Sequence, residues 1–165
     1  MNIIVAKCLN GGIGYNNTIP WHCKEDLKRF SKLTKGNGNN AIIMGKNTWL
    51  SLPKRPLPGR DNLVISTTLF GPNIFPSIIK LKEYLEKNHY DEIWIIGGEK
   101  LYNYFLKTEE VKKIYITTIY KYYTCDVYFP IHLSSHGFHL TYQQISTHEI
   151  VDKHGETVRY EIYEK

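Results

Sequence analysis

Asp26 lies in the stretch "TIPWHCKEDLKRF" (residues 18 to 30), at a position where an amphipathic helix would carry a hydrophobe. On a helix, Asp26, Phe30 and Leu33 recur at i, i+4 and i+7, so the carboxylate shares a stripe with two apolar side chains turned to the core. A buried carboxylate is costly unless something pairs with it, so Asp26 requires a partner.

Two other stretches suit anions. In "IWIIGGEKLYNYF" an apolar strand runs into Gly97-Gly98 and a helix begins at once. Paired glycines let a ligand approach the backbone, and a helix start offers free N–H groups to a phosphate. The same pair would also serve a plain strand-to-helix turn, and the three-glycine dinucleotide fingerprint is absent. In "IIMGKNTW" the pattern repeats as strand, Gly45, then Lys46, Asn47 and Thr48. Lys46 suits a phosphate monoester such as the 2′-phosphate of NADP, or is simply an exposed lysine. "IST" (65 to 67) adds hydroxyls at a third strand end. The glycine-rich loop 11 to 22 resembles a mobile cover, although Gly11 to Gly14 would also serve an ordinary turn, and a tryptophan such as Trp21 is more often a core aromatic. Arg60 closes the proline-stiffened "RPLPGR" and could grip a carboxylate through two parallel hydrogen bonds.

Positioning these groups calls for alternating strands and helices. Strands are expected at 2 to 9, 40 to 45, 61 to 67, 91 to 98 and 112 to 120, several of them continuous apolar runs typical of strands covered on both faces. Helices are expected at 24 to 33, 47 to 52, 78 to 88 and 99 to 107. This alternation favours a mainly parallel sheet flanked by helices. The last third reads as an antiparallel hairpin around "DKHG" (152 to 155), while 53 to 60 and 70 to 77 read as loops. The expectation is one mixed α/β domain over residues 1 to 165.

Composition narrows the function. Lysine and arginine number 21 against 16 acids, a net charge of +5, but the charges are scattered, which favours small anionic ligands over nucleic acid as the primary partner. No apolar run reaches membrane-spanning length, and "MNIIVAKCLN" is too short for a secretory signal. Three cysteines without metal-like spacing point to a reducing cytosol. The seven histidines show no paired spacing, so no metal site is expected, and no nucleophile motif for hydrolysis is present.

Taken together, "GIG" (12 to 14), "PW" (20 to 21), an acid five residues after the Trp, "MGKNTW" (44 to 49), "RPLPGR", "IGGEKLY" (96 to 102) and "YITTI" (115 to 119) resemble the dihydrofolate reductase family. "DVYFP" (126 to 130) and "VRYEIYEK" (158 to 165) look like that family's last strands. The resemblance implies a cytoplasmic, monomeric oxidoreductase, an antifolate target that reduces 7,8-dihydrofolate to 5,6,7,8-tetrahydrofolate. NADPH would be the hydride donor, and the product would support one-carbon metabolism and thymidylate synthesis. Asp26 would then meet the 2-amino group and N3 of the pterin, with Thr117 completing the network, carbonyls of Ile4 and Ile96 nearby, and Trp21 ordering water as the second catalytic residue.

By the same resemblance Ala6, Ile19, Leu27, Phe30, Leu52 and Leu57 wall the substrate site, and Arg60 holds the α-carboxylate of its glutamate tail. On the cofactor side it implies Ala6, Ile13 and Gly14 beside nicotinamide. Lys46, Asn47 and Thr48 would follow the phosphates, Ser66 and Thr67 lie near adenosine, and Gly97, Gly98, Glu99, Lys100, Leu101 and Tyr102 lie under the pyrophosphate, with a cis Gly97-Gly98 bond. Lys46-Asn47 departs from the arginine and basic neighbour common there, and Ile19 from the usual Met or Leu. Burial would raise the pKa of Asp26 while pterin donors would lower it. Two rival readings are a related reductase, such as that of riboflavin synthesis, which would need neither Arg60 nor the Trp21 and Asp26 pair, and a basic RNA-binding or nucleotide-sensing module.

Overall fold

Side-chain alternation along the apolar strands decides how the chain folds. The computed structural model describes residues 1–130, 132–150 and 155–165. Strands β1 (Asn2–Cys8), β3 (Ala41–Gly45), β4 (Asp61–Ile65), β6 (Ile93–Gly97) and β7 (Lys113–Ile119) form most of one sheet. Alternate residues on these strands enter two apolar layers. One layer joins Ile3, Val5, Ile43, Leu63 and Ile95 to Leu81 of α3 (Ile78–Lys87) and Phe105 of α4 (Glu99–Leu106). The other joins Ile4, Ile42, Met44, Val64 and Trp94 to Phe30 and Leu33 of α1 (Lys24–Lys35). Strands buried on both faces explain the unbroken apolar runs.

Helix ends follow their residues. Ser77 accepts a hydrogen bond from the Lys80 N–H and caps α3, whereas α1 carries Glu25 and Asp26 in its first turn and Lys32 and Lys35 in its last. The second helix, α2 (Lys46–Ser51), is a short stub directly after β3.

The sheet has eight strands in the order β5-β4-β3-β6-β1-β7-β10-β9, where β5 is Ile74–Phe75, β9 is His139–Glu149 and β10 is Gly155–Glu164. Pairing is parallel from β5 to β7, then antiparallel through β10 and β9. The expected mainly parallel sheet with a C-terminal hairpin is therefore present. Of the predicted turn at 152 to 155, residues 152 to 154 lie outside the described residues.

Two local expectations need correction. Residues 70 to 77 are not all loop: the Val64 N–H donates to Asn73 O and the Ser66 N–H to Phe75 O, adding β5 to the sheet edge. Within the loop 11 to 22, β2 (Gly12–Gly14) forms a two-stranded ribbon with β8 (Val127–Tyr128). The strand expected in "DVYFP" is thus present as β8, and it anchors the early loop. In the same loop Asn16 and Asn17, both at positive φ, make a tight turn closed by Tyr15 and Thr18.

The register opens the sheet where a ligand could enter. β1 pairs with β7 along its whole length, but with β6 only at Asn2↔Trp94 and Ile3↔Ile95. Beyond Ile3 the strands part, and the buried Tyr102 hydroxyl donates to Ile4 O at 2.9 Å. Across β6 the pairing with β3 passes from Ile43↔Ile95 to Met44↔Gly97, so Ile96 is bulged out of register. The opening faces the carboxyl ends of β3, β4, β6 and β1, the edge at which open α/β sheets bind ligands.

Candidate active site

Asp26 stands on the first turn of α1, and the Thr117 hydroxyl on β7 donates to its Oδ1 at 2.7 Å. Thr117 is buried and sits opposite Ala6 of β1. The amphipathic pattern of α1 thus delivers the acid to β7, the neighbour of the strand β1 that borders the opening, while Phe30 and Leu33 anchor the helix on the sheet.

Burial is the largest influence on Asp26 and raises its carboxyl above the usual carboxylate value. The Thr117 bond pulls the other way, followed by the charges of Arg29 and His148, without cancelling the burial effect. Arg29 lies one helical turn from Asp26, and its guanidinium sits 4.4 Å from the ring centre of Tyr160 and 6.0 Å from that of Tyr115. Tyr160 pairs with Thr117 across β10 and β7, and its phenol is pushed up to about 12 by burial and then by Asp26. The sequence reading missed Arg29, Tyr115, His148 and Tyr160. Only the i, i+3 spacing of Arg29 gave a local signal.

Trp21 is buried in a satellite apolar cluster with Cys8, Cys23 and Tyr160, its ring 5.4 Å from that of Tyr123. Tyr123 lies in the irregular segment that follows β7. Of the predicted apolar wall, Phe30, Leu52 and Leu57 are half-buried beside Ile4, Met44 and Ile96, whereas Ile19 and Leu27 are 56% and 48% exposed. A hollow of about 320 Å³ beside α2 is lined by Asn16, Asn17, Thr18, Asn47, Leu50 and Ser51, of which the sequence singled out only Asn47 as a site residue.

Arg60 is almost fully buried. Its Nε donates to Pro58 O at 3.0 Å and its Nη1 to Thr34 Oγ1 at 2.7 Å. The loop that carries it is clamped by Asn62, whose side chain bonds Leu57 N, Leu57 O and Arg60 O. The proline-rich loop therefore presents a fixed guanidinium.

On the other side of the opening the two glycine junctions are neighbours, because β3 and β6 are paired. A Cβ on Gly97, which has φ of +130°, would lie 3.2 Å from Thr48 Oγ1, and one on Gly98 would lie 3.6 Å from the same atom. The Gly97-Gly98 peptide is cis. Neither Gly45 nor Gly98 supplies a side-chain cap to the helix it precedes, so the backbone N–H groups at the starts of α2 and α4 are left for a ligand.

Around these junctions, Lys46 Nζ donates to Thr68 Oγ1 at 2.8 Å at the end of β4. Ser66 is buried and receives the Thr68 and Leu69 N–H groups, so it shapes this turn, and Thr67 is exposed beside it. Glu99 turns its carboxylate toward the Tyr128 N–H at 3.4 Å, Lys100 is exposed, and Leu101 and Tyr102 point into the core. Ile13 and Gly14 lie on the β2 ribbon, and a Cβ at Gly14 would approach Val127 to 2.9 Å.

A sheet parted at the carboxyl ends of its strands, with open helix starts on one bank and a desolvated acid on the other, defines an α/β enzyme built for an anionic cofactor and a polar ring. The comparisons make that class specific. A family model described as dihydrofolate reductase matches residues 1–165, and the chain belongs to this family. It is 35% identical over 182 aligned residues to the dihydrofolate reductase of Aedes albopictus, covering 99% of this chain and 96% of that one. Identity to the Drosophila melanogaster dihydrofolate reductase is 37% over 142 residues, 78% of each chain. Identity to that of Ureaplasma parvum is 34% over 154 residues, covering 92% and 94% respectively.

Proposed function

We propose that this chain reduces 7,8-dihydrofolate to 5,6,7,8-tetrahydrofolate with NADPH, acting as one catalytic domain and as a cytoplasmic monomer. The observation that carries this reading is the Asp26 carboxylate, held by Thr117 beside the parting of β1 and β6, in a chain of this family. No helix among the described residues is long and apolar enough to cross a membrane.

Asp26 Oδ2 and the second lone pair of Oδ1 accept from the 2-amino group and N3 of the pterin, two donors in one plane. Carbonyls of Ile4 and of the bulged Ile96 border the ring. Ala6, Phe30, Leu52 and Leu57 wall it, and Ile19 and Leu27, exposed in the free protein, are the surfaces a ligand covers. Arg60 donates through its remaining guanidinium N–H groups to the α-carboxylate of the glutamate tail, already pre-ordered by Thr34 and Pro58.

The residues present fit NADPH. Gly97 and Gly98 leave a cradle that any Cβ would fill toward Thr48. The starts of α2 and α4 suit its phosphates, Lys46 with Ser66 and Thr67 its adenosine phosphate end, and Ile13, Gly14 and Ala6 its nicotinamide. Bound there, the cofactor supplies the hydride for pterin C6.

The chain's own residues do the rest. Asp26 fixes the ring and biases nearby water toward protonating N5, Trp21 packs the wall behind that water, and the loop 11 to 22 excludes bulk solvent. The test is to follow NADPH or NADH oxidation by purified protein with and without dihydrofolate. Consumption that needs dihydrofolate and prefers NADPH supports the reading. Consumption indifferent to dihydrofolate would refute it.

A further inference from the structure

Cys8 and Cys125 take no part in the proposed reaction, yet the fold brings them together from 117 residues apart, with their Sγ atoms 4.0 Å from one another. Cys8 closes β1 and is wholly buried, and Cys125 is half-buried ahead of β8. Their proximity is built in at a third position. A Cβ on Gly12 would lie 2.2 Å from Cys125 Sγ and 3.2 Å from Cys8 Sγ, so the absence of a side chain at residue 12 is what admits the pair.

We propose that Cys8 and Cys125 form a dithiol modification site, closed to a disulfide by a small-molecule disulfide oxidant, that restrains the loop covering the active site. The Cys125 thiolate, the more exposed of the two, attacks one sulfur of the oxidant RSSR and expels RS⁻, giving a mixed disulfide. Cys8, losing its proton, then attacks Cys125 Sγ and expels the second RS⁻. Two protein thiols are oxidised, RSSR is reduced to two RSH, and the two protons go to the leaving thiolates. Closure needs the sulfurs to approach by about 2 Å, to a bond of about 2.05 Å.

The loop is reached through the next residue. The Asp126 N–H donates to Gly14 O at 2.9 Å, and the Asn16 N–H donates to Asp126 Oδ2 at 3.1 Å. Tying Cys125 to the end of β1 therefore holds residues 11 to 18 from both sides. Burial, with Cys8 alongside, pushes the Cys125 thiol up to about 11, so the pair closes slowly and responds to sustained oxidation.

The experiment incubates the full chain with oxidised glutathione, maps disulfides by peptide mass, and measures amide exchange over residues 11 to 18 together with turnover. The expected result is a Cys8–Cys125 linked peptide, slower exchange across 11 to 18, and a several-fold drop in turnover reversed by dithiothreitol. Cys125→Ser and Cys8→Ala should abolish all three responses. A glutathione adduct that never resolves, a link through Cys23, or closure without slower exchange would overturn the proposal. The turnover readout rests on the proposed function; peptide mapping and exchange do not, so failure of one is distinguishable from failure of the other.

Discussion

The two banks of the sheet opening treat polar groups in opposite ways. Around Asp26 a charge is taken out of water and met by one hydroxyl, one guanidinium and one imidazole drawn from α1, β7 and β9. Around Gly45 and Gly97-Gly98 no side-chain charge among the described residues is buried, and the polarity is that of backbone N–H groups at two helix starts. An acid built this way can choose among rings by donor pattern, whereas helix starts hold a phosphate with little regard for what it carries. Under the proposed function, selectivity for the substrate would concentrate in a few side chains, and cofactor binding would be spread over the backbone.

The contrast is broken most severely at Asp26. Asp26→Asn keeps the shape but removes an acceptor, and turnover at neutral pH should fall by roughly 10²- to 10⁴-fold. The same substitution should stabilise the free protein. The folded-state pKa is raised, so stability is fully present below the unfolded value of 3.8 and declines as pH rises through the folded value. Thermal unfolding should then show the variant gaining over wild type as pH climbs through that window. No gain at neutral pH would contradict the burial argument.

Gly97→Ala comes next, because its φ of +130° and the 3.2 Å approach to Thr48 penalise any side chain. It should cost about 1–3 kcal/mol of stability and most of the NADPH affinity. Arg60→Leu should weaken dihydrofolate roughly a hundredfold, as for two charge-assisted bonds, while a pterin without glutamate binds as before. Equal losses for both ligands would remove the tail contact.

Thr117→Val deletes the bond that favours ionised Asp26, so the rate profile should move to higher pH. A profile left in place would show that Thr117 only packs. Lys46→Ala should shift the NADPH to NADH preference by about tenfold or less, the worth of one exposed charge-assisted bond. An unchanged ratio would assign the 2′-phosphate elsewhere.

Much of this was legible in the sequence because it is local. Asp26 on an apolar stripe, strand-glycine-helix at two places, and a stiffened loop before Arg60 are each encoded within a dozen residues. What escaped depends on register. The parting of β1 from β6 rests on Tyr102 reaching Ile4 O and on a bulge at Ile96, which no periodicity announces. Tyr160 and His148 meet Asp26 only once β10 lies beside β7 and β9 beside β10, whereas Arg29 reaches it from one turn along the same helix. The β2–β8 ribbon pairs three residues with two distant ones, too short a signal for alternation to reveal.

The most direct test of the two-bank account is a pair of fluorescence titrations of Asp26→Asn, one with NADPH and one with an aminopteridine ligand, each compared with wild type. The account predicts that NADPH binds as in wild type while the aminopteridine is lost by two orders of magnitude or more. Equal weakening of both ligands, or undiminished aminopteridine binding, would contradict it.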